Sequence, residues 1–167
     1  LYADNSDIGV FSPQNAAYEF YNIKTKVPQS SLVINEVMAN NVTTIMDETG
    51  DYDDWIELYN NSNTPISTNG LLFSDNPLNL DKWDLPNIVV NPNSYFIIWA
   101  DEDGNTGDNH ANFKLSNLGE QLILSNSDSS IVDAEFIYPQ NDDIAYGRFP
   151  NGIGSFTMLT PTFNANN

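Results

Sequence analysis

The 167-residue sequence contains no cysteine. Disulfide bonds, thiolate metal ligands and a cysteine nucleophile are therefore excluded. Only five lysine and arginine residues stand against 23 aspartate and glutamate residues, which gives a formal net charge of -18. Nucleic-acid binding depends on a basic surface that neutralises phosphates, so DNA, RNA and anionic membrane surfaces are not predicted as partners. The rare cations Lys114 and Arg148 are each expected to pair with a carboxylate.

Long apolar segments are also missing. No segment approaches the roughly 18 consecutive apolar residues of a transmembrane helix, so membrane insertion is not predicted. The first ten residues, LYADNSDIGV, lack the basic start and the apolar stretch of a signal peptide. We expect the chain to be a segment cut from a larger protein.

Helical periodicity is missing as well, and short apolar segments recur between turns rich in Asn, Asp, Gly, Pro and Ser. Several short strands at this spacing predict an all-β protein, a sandwich or a barrel. The hydrophobic fraction of 40% is sufficient for one core in a chain of this length. The predicted strands span residues 32–38, 54–60, 70–74, 94–100, 120–125, 131–138, 145–149 and 155–159.

The first thirty residues differ from the rest. Their turn signals are weaker, and the segment ends in a Pro, Gln and Ser stretch that is typical of a linker. We predict an N-terminal arm, a peripheral strand or a linker over residues 1–30, and a single β-sandwich domain over residues 31–167.

Two acidic loops are the best candidates for chemistry. Calcium prefers about six to eight oxygen ligands on flexible loops, and a cation relieves the repulsion between crowded carboxylates. Calcium is therefore the candidate ion, with solvated turns as the alternative, and no other cofactor is predicted. An EF-hand is excluded, because the twelfth position counted from Asp101 is Asn112 instead of glutamate. The candidate ligands are Asp101, Asp103, Asn105 and Asp108 in the favoured second loop, and Asp47, Asp51 and Asp53 in the first.

Three other residues invite a catalytic interpretation. Glu36 and Glu57 lie in the middle of predicted strands, where solvation or hydrogen bonds to nearby backbone are the expected roles. His110 is the only histidine, and no cluster with metal-binding spacing is expected around it, so a structural role is predicted. There is no nucleophile elbow and no phosphate-binding glycine loop. We do not predict an enzyme, and a hydrolase with convergent carboxylates is the least favoured function.

An ordered set of motifs runs from Leu32 to the C-terminal residue. The motifs are LVINEVM, DWIELYN, GLLFSDN, DKW, SYFIIWADEDG, HANFKLSNLGE and GRFPNG followed by TPT. In order and spacing this set resembles the bacterial type of lamin tail domain. The resemblance implies an immunoglobulin-like β-sandwich that serves as a non-catalytic module of exported proteins. The ending TPTFNANN and a shortened H-x-N loop depart from the family pattern, so we expect the far end to pack differently.

Two kinds of function follow. We predict an interaction or scaffolding module of a secreted or cell-surface protein, stabilised by calcium, that binds a partner protein or a neighbouring domain of its parent chain. The alternative is a carbohydrate-binding module attached to an extracellular enzyme, with exposed aromatic side chains stacked on the sugar rings of a glycan. A planar row of exposed aromatics would favour this alternative, and burial would count against it. The candidate aromatics are Tyr52, Tyr59, Trp83 and Tyr138.

Overall fold

A computed structural model describes residues 31–103 and 106–167. The arm or linker predicted over residues 1–30, and Asn105 of the candidate calcium loop, lie outside the described residues. Within those ranges there is no helix, and so none with the length and apolar character that crossing a membrane requires. The strands are β1 (Leu32–Met38), β2 (Asp54–Asn60), β3 (Ile66–Ser67), β4 (Leu71–Ser74), β5 (Trp83–Asp84), β6 (Val89–Val90), β7 (Tyr95–Ala100), β8 (His110–Ala111), β9 (Glu120–Asn126), β10 (Ile131–Ile137), β11 (Ala145–Phe149) and β12 (Ser155–Leu159).

The strands form two main sheets and one small sheet. The first main sheet has six strands in the order β12-β11-β1-β2-β7-β8, and the second has four in the order β10-β9-β4-β5. Strands β3 and β6 form the small sheet. The pairing is antiparallel except between β7 and β8, which are parallel. The prediction of an all-β sandwich is confirmed, and all eight predicted strands are present. The four two-residue strands were not predicted, because alternation cannot be read from two residues.

Apolar side chains of the two main sheets meet in a shared core. Phe73 of β4 packs parallel to Phe113, with ring centroids 6.1 Å apart. Full burial of such a side chain contributes about 1.5–3 kcal/mol, so this core holds the two sheets face to face. Its members include Leu32, Ile34, Ile56, Leu58 and Ile98 from the six-stranded sheet, and Phe73, Leu122 and Leu124 from the four-stranded sheet.

The outer face of the six-stranded sheet is covered too. Trp55 and Trp99 form a second apolar cluster on this face, against which Phe163 packs. The Phe163 ring centroid lies 5.2 Å from that of Trp55 and 5.5 Å from that of Trp99. We call residues 160–167, which follow β12, the C-terminal segment. Because this segment covers the outer face, β2 buries both Trp55 and Ile56, whose side chains point in opposite directions.

A β-bulge in β1 turns two consecutive polar residues towards this outer face. The register with β2 shifts between Ile34 and Glu36, so Asn35 is the additional residue. The additional residue shifts the alternation of side chains. Ile34 before it and Val37 after it therefore both point into the shared core. Asn35 and Glu36 both face the C-terminal segment, since both form hydrogen bonds with it.

Arg148 of β11 joins the two main sheets at one edge. Its guanidinium lies 3.0 Å from a carboxylate oxygen of Asp133 and 2.7 Å from one of Glu135, both on β10. Its Nε also donates to the carbonyl oxygen of Ile34 at 2.8 Å. The carboxylate pairing predicted for Arg148 is confirmed, and it is a buried contact instead of a surface pair.

Candidate functional site

The topology brings the two acidic loops to the same end of the domain. One loop, residues 41–53, precedes β2, and the other, of which residues 101–103 and 106–109 are described, follows β7. Strands β2 and β7 are antiparallel neighbours, and Asp54 at the start of β2 lies opposite Ala100 at the end of β7. The loops that leave these strand ends therefore lie side by side.

Loop 41–53 is held by hydrogen bonds from polar side chains. The Asn41 amide donates to the carbonyl oxygens of Ile45 at 2.6 Å and Asp53 at 2.8 Å. The Asp143 carboxylate, in the turn before β11, accepts the backbone N–H groups of Val42 and Thr43 at 2.8 and 2.9 Å. Both ends of the loop are thus fixed by groups that would otherwise be solvated.

Asp47 closes a tight turn within this loop. Its Oδ1 accepts backbone N–H groups from Thr49, Gly50 and Asp51 at 2.8–2.9 Å. Partial desolvation opposes the charged form, but these N–H donors outweigh it and hold the pKa of Asp47 below its usual value. Asp47 is therefore a fixed negative charge at the end of the sandwich.

His110 lies between the two loops. Strand β8 pairs with β7, and the backbone N–H of Trp99 donates to the carbonyl oxygen of Asn109 at 2.9 Å, which places His110 beside Trp99. The His110 side chain is fully buried. Its Nδ1 contacts the Asp101 carboxylate, and its Nε2 lies 3.0 Å from Oε1 of Glu48, which is half exposed.

Charges around His110 act on one another. Burial opposes the charged imidazolium, but the hydrogen bonds to Asp101 and Glu48 outweigh it and raise the pKa of His110. The pKa of Asp53 is also raised, first by burial and then by the negative charges of Asp101, Asp47 and Asp51. Carboxylates of both loops therefore lie close enough to repel one another.

Asp47, Asp101 and His110 form a compact group of potential metal ligands. One ligand atom from each lies within 4.8 Å of the other two. The expectation that no such cluster surrounds His110 is wrong, because loop 41–53 comes to it from a distant part of the chain. Glu48, which contacts His110 directly, belongs to the first acidic loop but was not among the predicted ligands. A prediction of the β2–β7 pairing would have placed these two loops side by side.

The other candidate calcium ligands have separate positions. Asp51 adjoins Asp47, and its Oδ2 accepts the Thr49 hydroxyl at 3.1 Å. Asp103 and Asp108 are exposed, and neither belongs to the ligand group found in the described residues. Calcium binding at these loops stays a prediction.

Glu36 and Glu57 form a second polar centre, under the C-terminal segment. They are cross-strand neighbours, and both are fully buried. Glu36 accepts the backbone N–H of Thr162 at 2.9 Å, and Glu57 accepts that of Asn164 at 2.8 Å. Burial and the charge of Glu36 raise the pKa of Glu57 to about 8, and burial raises the pKa of Glu36. The pair has a structural role, as predicted, but its partners are remote backbone groups instead of nearby ones.

The aromatic residues proposed for sugar stacking are dispersed. Tyr59 is only 7% exposed and packs on Tyr95 with ring centroids 5.0 Å apart, so it offers no free face. Tyr138 is 58% exposed, but its neighbours Phe136 and Tyr146 meet it edge-on. Trp83 is half buried beside an open depression of about 540 Å³. The polar residues that line this depression include Asp84, Asn87, Asp108 and Asn112.

A family model described as Lamin Tail Domain matches residues 25–138, which is more than half of the chain. The chain belongs to the lamin tail domain family. Its fold is the immunoglobulin-like β-sandwich of that family, and membership favours a non-catalytic module. No curated protein sequence matches this chain. Both acidic loops and His110 of this lamin tail domain lie within the matched residues, whereas β11, β12 and the C-terminal segment follow them.

Proposed function

We propose that this lamin tail domain is a non-catalytic interaction module of a secreted or cell-surface protein, and that loop 41–53 is its recognition surface. The observation that carries the proposal is a set of exposed apolar side chains on a well-ordered loop. Val42, Met46 and Tyr52 are 46%, 51% and 40% exposed. Exposed apolar side chains that are held rigidly and surrounded by charge are typical of protein-binding sites.

The charge of the surrounding residues indicates which kind of partner surface would bind. Glu48 and Asp51 on the same loop are exposed, and the whole chain carries a net charge of -18. A partner surface with lysine or arginine around an apolar centre would complement this loop and be steered towards it. Such a surface belongs either to a separate protein or to a neighbouring domain of the parent chain.

The test is calorimetric titration at physiological salt with a peptide of alternating lysine and valine. Met46→Ser and Tyr52→Ser should each weaken binding about tenfold, because each removes an apolar contact worth about 1–2 kcal/mol. Leu78→Ser is the matched control, since Leu78 is 81% exposed in a different loop. Equal affinities for all four proteins would mean that only the net charge attracts the peptide, and would contradict the proposal.

A bound cation is the second part of this proposal. Negative charges from both loops meet around His110, and a divalent ion would join the loops and relieve their repulsion. When only the carboxylates of the two loops are considered, the predicted ion is calcium. An ion at about 100 times its Kd should raise the Tm by about 5–10 °C over the value in chelator. Coincident melting curves for chelator and for each divalent ion tried would contradict a cation-ordered surface.

Glycan binding is the second candidate function, and one observation favours it. The depression beside Trp83 combines an aromatic side chain with exposed carboxylate and amide groups, as a neutral sugar requires. Titration with hexasaccharides of glucose and of N-acetylglucosamine tests it. Binding that is lost in Trp83→Ala but kept in Tyr138→Ala would support this function, and no heat with either sugar would contradict it for these glycans.

A further inference from the structure

We propose that Asp47, Asp101 and His110 bind a divalent transition-metal ion, with zinc as the best fit. This inference rests on the proposed function in one respect, since it takes the two loops to be joined by a cation. It adds the ligands and the class of ion.

The geometry already suits a single ion. The three ligand atoms lie within 4.8 Å of one another, and ligand atoms about 2.0–2.2 Å from one zinc ion are separated by no more than that. Glu48 lies on the other side of the ring, where its Oε1 is 3.0 Å from Nε2 of His110, so it steadies the imidazole and is not counted as a ligand. Gly107 leaves the necessary room, since a Cβ at that position would lie 3.0 Å from both Glu48 and the His110 ring.

The nitrogen donor determines the class of ion. Calcium and magnesium take oxygen ligands, whereas imidazole with carboxylates is a ligand set of zinc and its neighbours among the transition metals. The two carboxylates would also balance the charge of a divalent ion, in a chain with few cations. The carboxylates of Asp47 and Asp101 are held in place before the ion arrives, by backbone N–H groups of their own loops.

The buried ring of His110 is enclosed by potential ligand groups. A neutral imidazole has one N–H group, yet both ring nitrogens face carboxylates. A metal ion on one ring nitrogen would take the place of one of these contacts, with the carboxylate on that side as a second ligand.

The experiment is a zinc titration of the chelator-treated protein, followed by thermal unfolding and by NMR of the His110 ring. His110 is the only histidine, so its imidazole signals report on this site alone. Zinc at about 100 times its Kd should raise the Tm by about 5–10 °C and shift the ring nitrogen signals. Asp47→Asn and His110→Gln should each lose most of the Tm shift. Asp81→Asn, which removes an exposed carboxylate in another loop, should keep it.

The outcomes separate the inference from the proposed function. A Tm shift with calcium and not with zinc, with unchanged His110 signals, would overturn the zinc site and keep the cation-ordered surface. Zinc binding that survives Asp47→Asn and leaves the His110 signals unchanged would place the ion on other carboxylates and overturn the inference. No response to any ion would overturn both the zinc site and the cation-ordered surface. Neither Asp47→Asn nor the NMR measurement depends on the folding of His110→Gln.

Discussion

At the residue scale, the buried pair of Glu36 and Glu57 shows how a polar side chain fixes a distant segment. Each carboxyl accepts a backbone N–H from the C-terminal segment, which would otherwise be unsatisfied on the outer face of the sheet. Asn35 ties Glu57 to the turn between β11 and β12, since its side chain donates to Glu57 at 2.9 Å and accepts the N–H of Gly152 at 2.9 Å. Their burial suits a structural role and not a catalytic one.

The pKa of Glu57 makes the stability of the domain depend on pH. It is about 8 in the folded chain against the usual 4.5, so the folded state holds a proton that the unfolded state loses. This stability is fully present below pH 4.5 and is lost as the pH rises towards 8, by on the order of 2–4 kcal/mol. Glu57→Gln should flatten the fall of unfolding free energy over this range in urea titrations.

Asp81→Asn provides the control for this prediction, because it removes an exposed carboxylate and should leave the pH slope as it is. A slope in Glu57→Gln equal to that of the parent chain would mean that Glu57 ionises at its usual pKa.

At the element scale, the C-terminal segment completes the domain although it forms no strand. Thr162 and Asn164 hydrogen-bond to the two buried glutamates, and Phe163 between them packs on Trp55 and Trp99. The side-chain amide of Asn167 donates to the carbonyl oxygen of Arg148 at 2.9 Å. The segment therefore combines an apolar anchor with hydrogen bonds on both sides of it.

Phe163→Ala should remove this anchor. We expect a loss of about 1–3 kcal/mol in urea unfolding, below the full cost of a buried phenylalanine because Phe163 is only partly buried. The native tryptophan fluorescence should also change, since both contacting rings are indoles. Phe149→Ala is the control, because Phe149 is 62% exposed and should cost less than about 0.5 kcal/mol. Equal losses in the two variants would contradict an anchoring role for Phe163.

At the scale of the whole molecule, a net charge of -18 on 167 residues opposes the compact state. Two of the described cations each offset the charge of nearby carboxylates only. Lys82 pairs with Asp75 at 2.6 Å, and Arg148 neutralises part of the charge on β10. Within residues 31–103 and 106–167, most of the remaining carboxylates lie in turns at the surface, where salt screens their repulsion.

Raising the salt concentration should therefore stabilise the domain. Between 0.01 and 0.15 M sodium chloride the Debye length falls from about 30 to about 8 Å, and we expect the Tm to rise by a few degrees. Tetramethylammonium chloride should give the same rise, because it screens without binding specifically. A Tm that stays constant or falls with both salts would show that self-repulsion is not a significant cost for this fold.

Much of the fold could be predicted from local sequence. The eight longer strands follow from apolar segments bounded by Asn, Asp, Gly and Pro, since alternation and turn chemistry act over a few residues. The candidate site was predicted in part, because Asp47 and Asp101 stand out as carboxylates in acidic loops. His110 and Glu48 were not assigned to it, since their contact joins positions 62 residues apart.

The sequence by itself therefore determined the strands, the turns and the acidic character of this lamin tail domain, all of which depend on composition and short-range pattern. The tertiary structure alone decided which loops meet at His110 and which segment covers the outer face of the six-stranded sheet. The physical reason is that strand pairing and the bulge at Asn35 set these contacts, and they join residues that no local pattern connects.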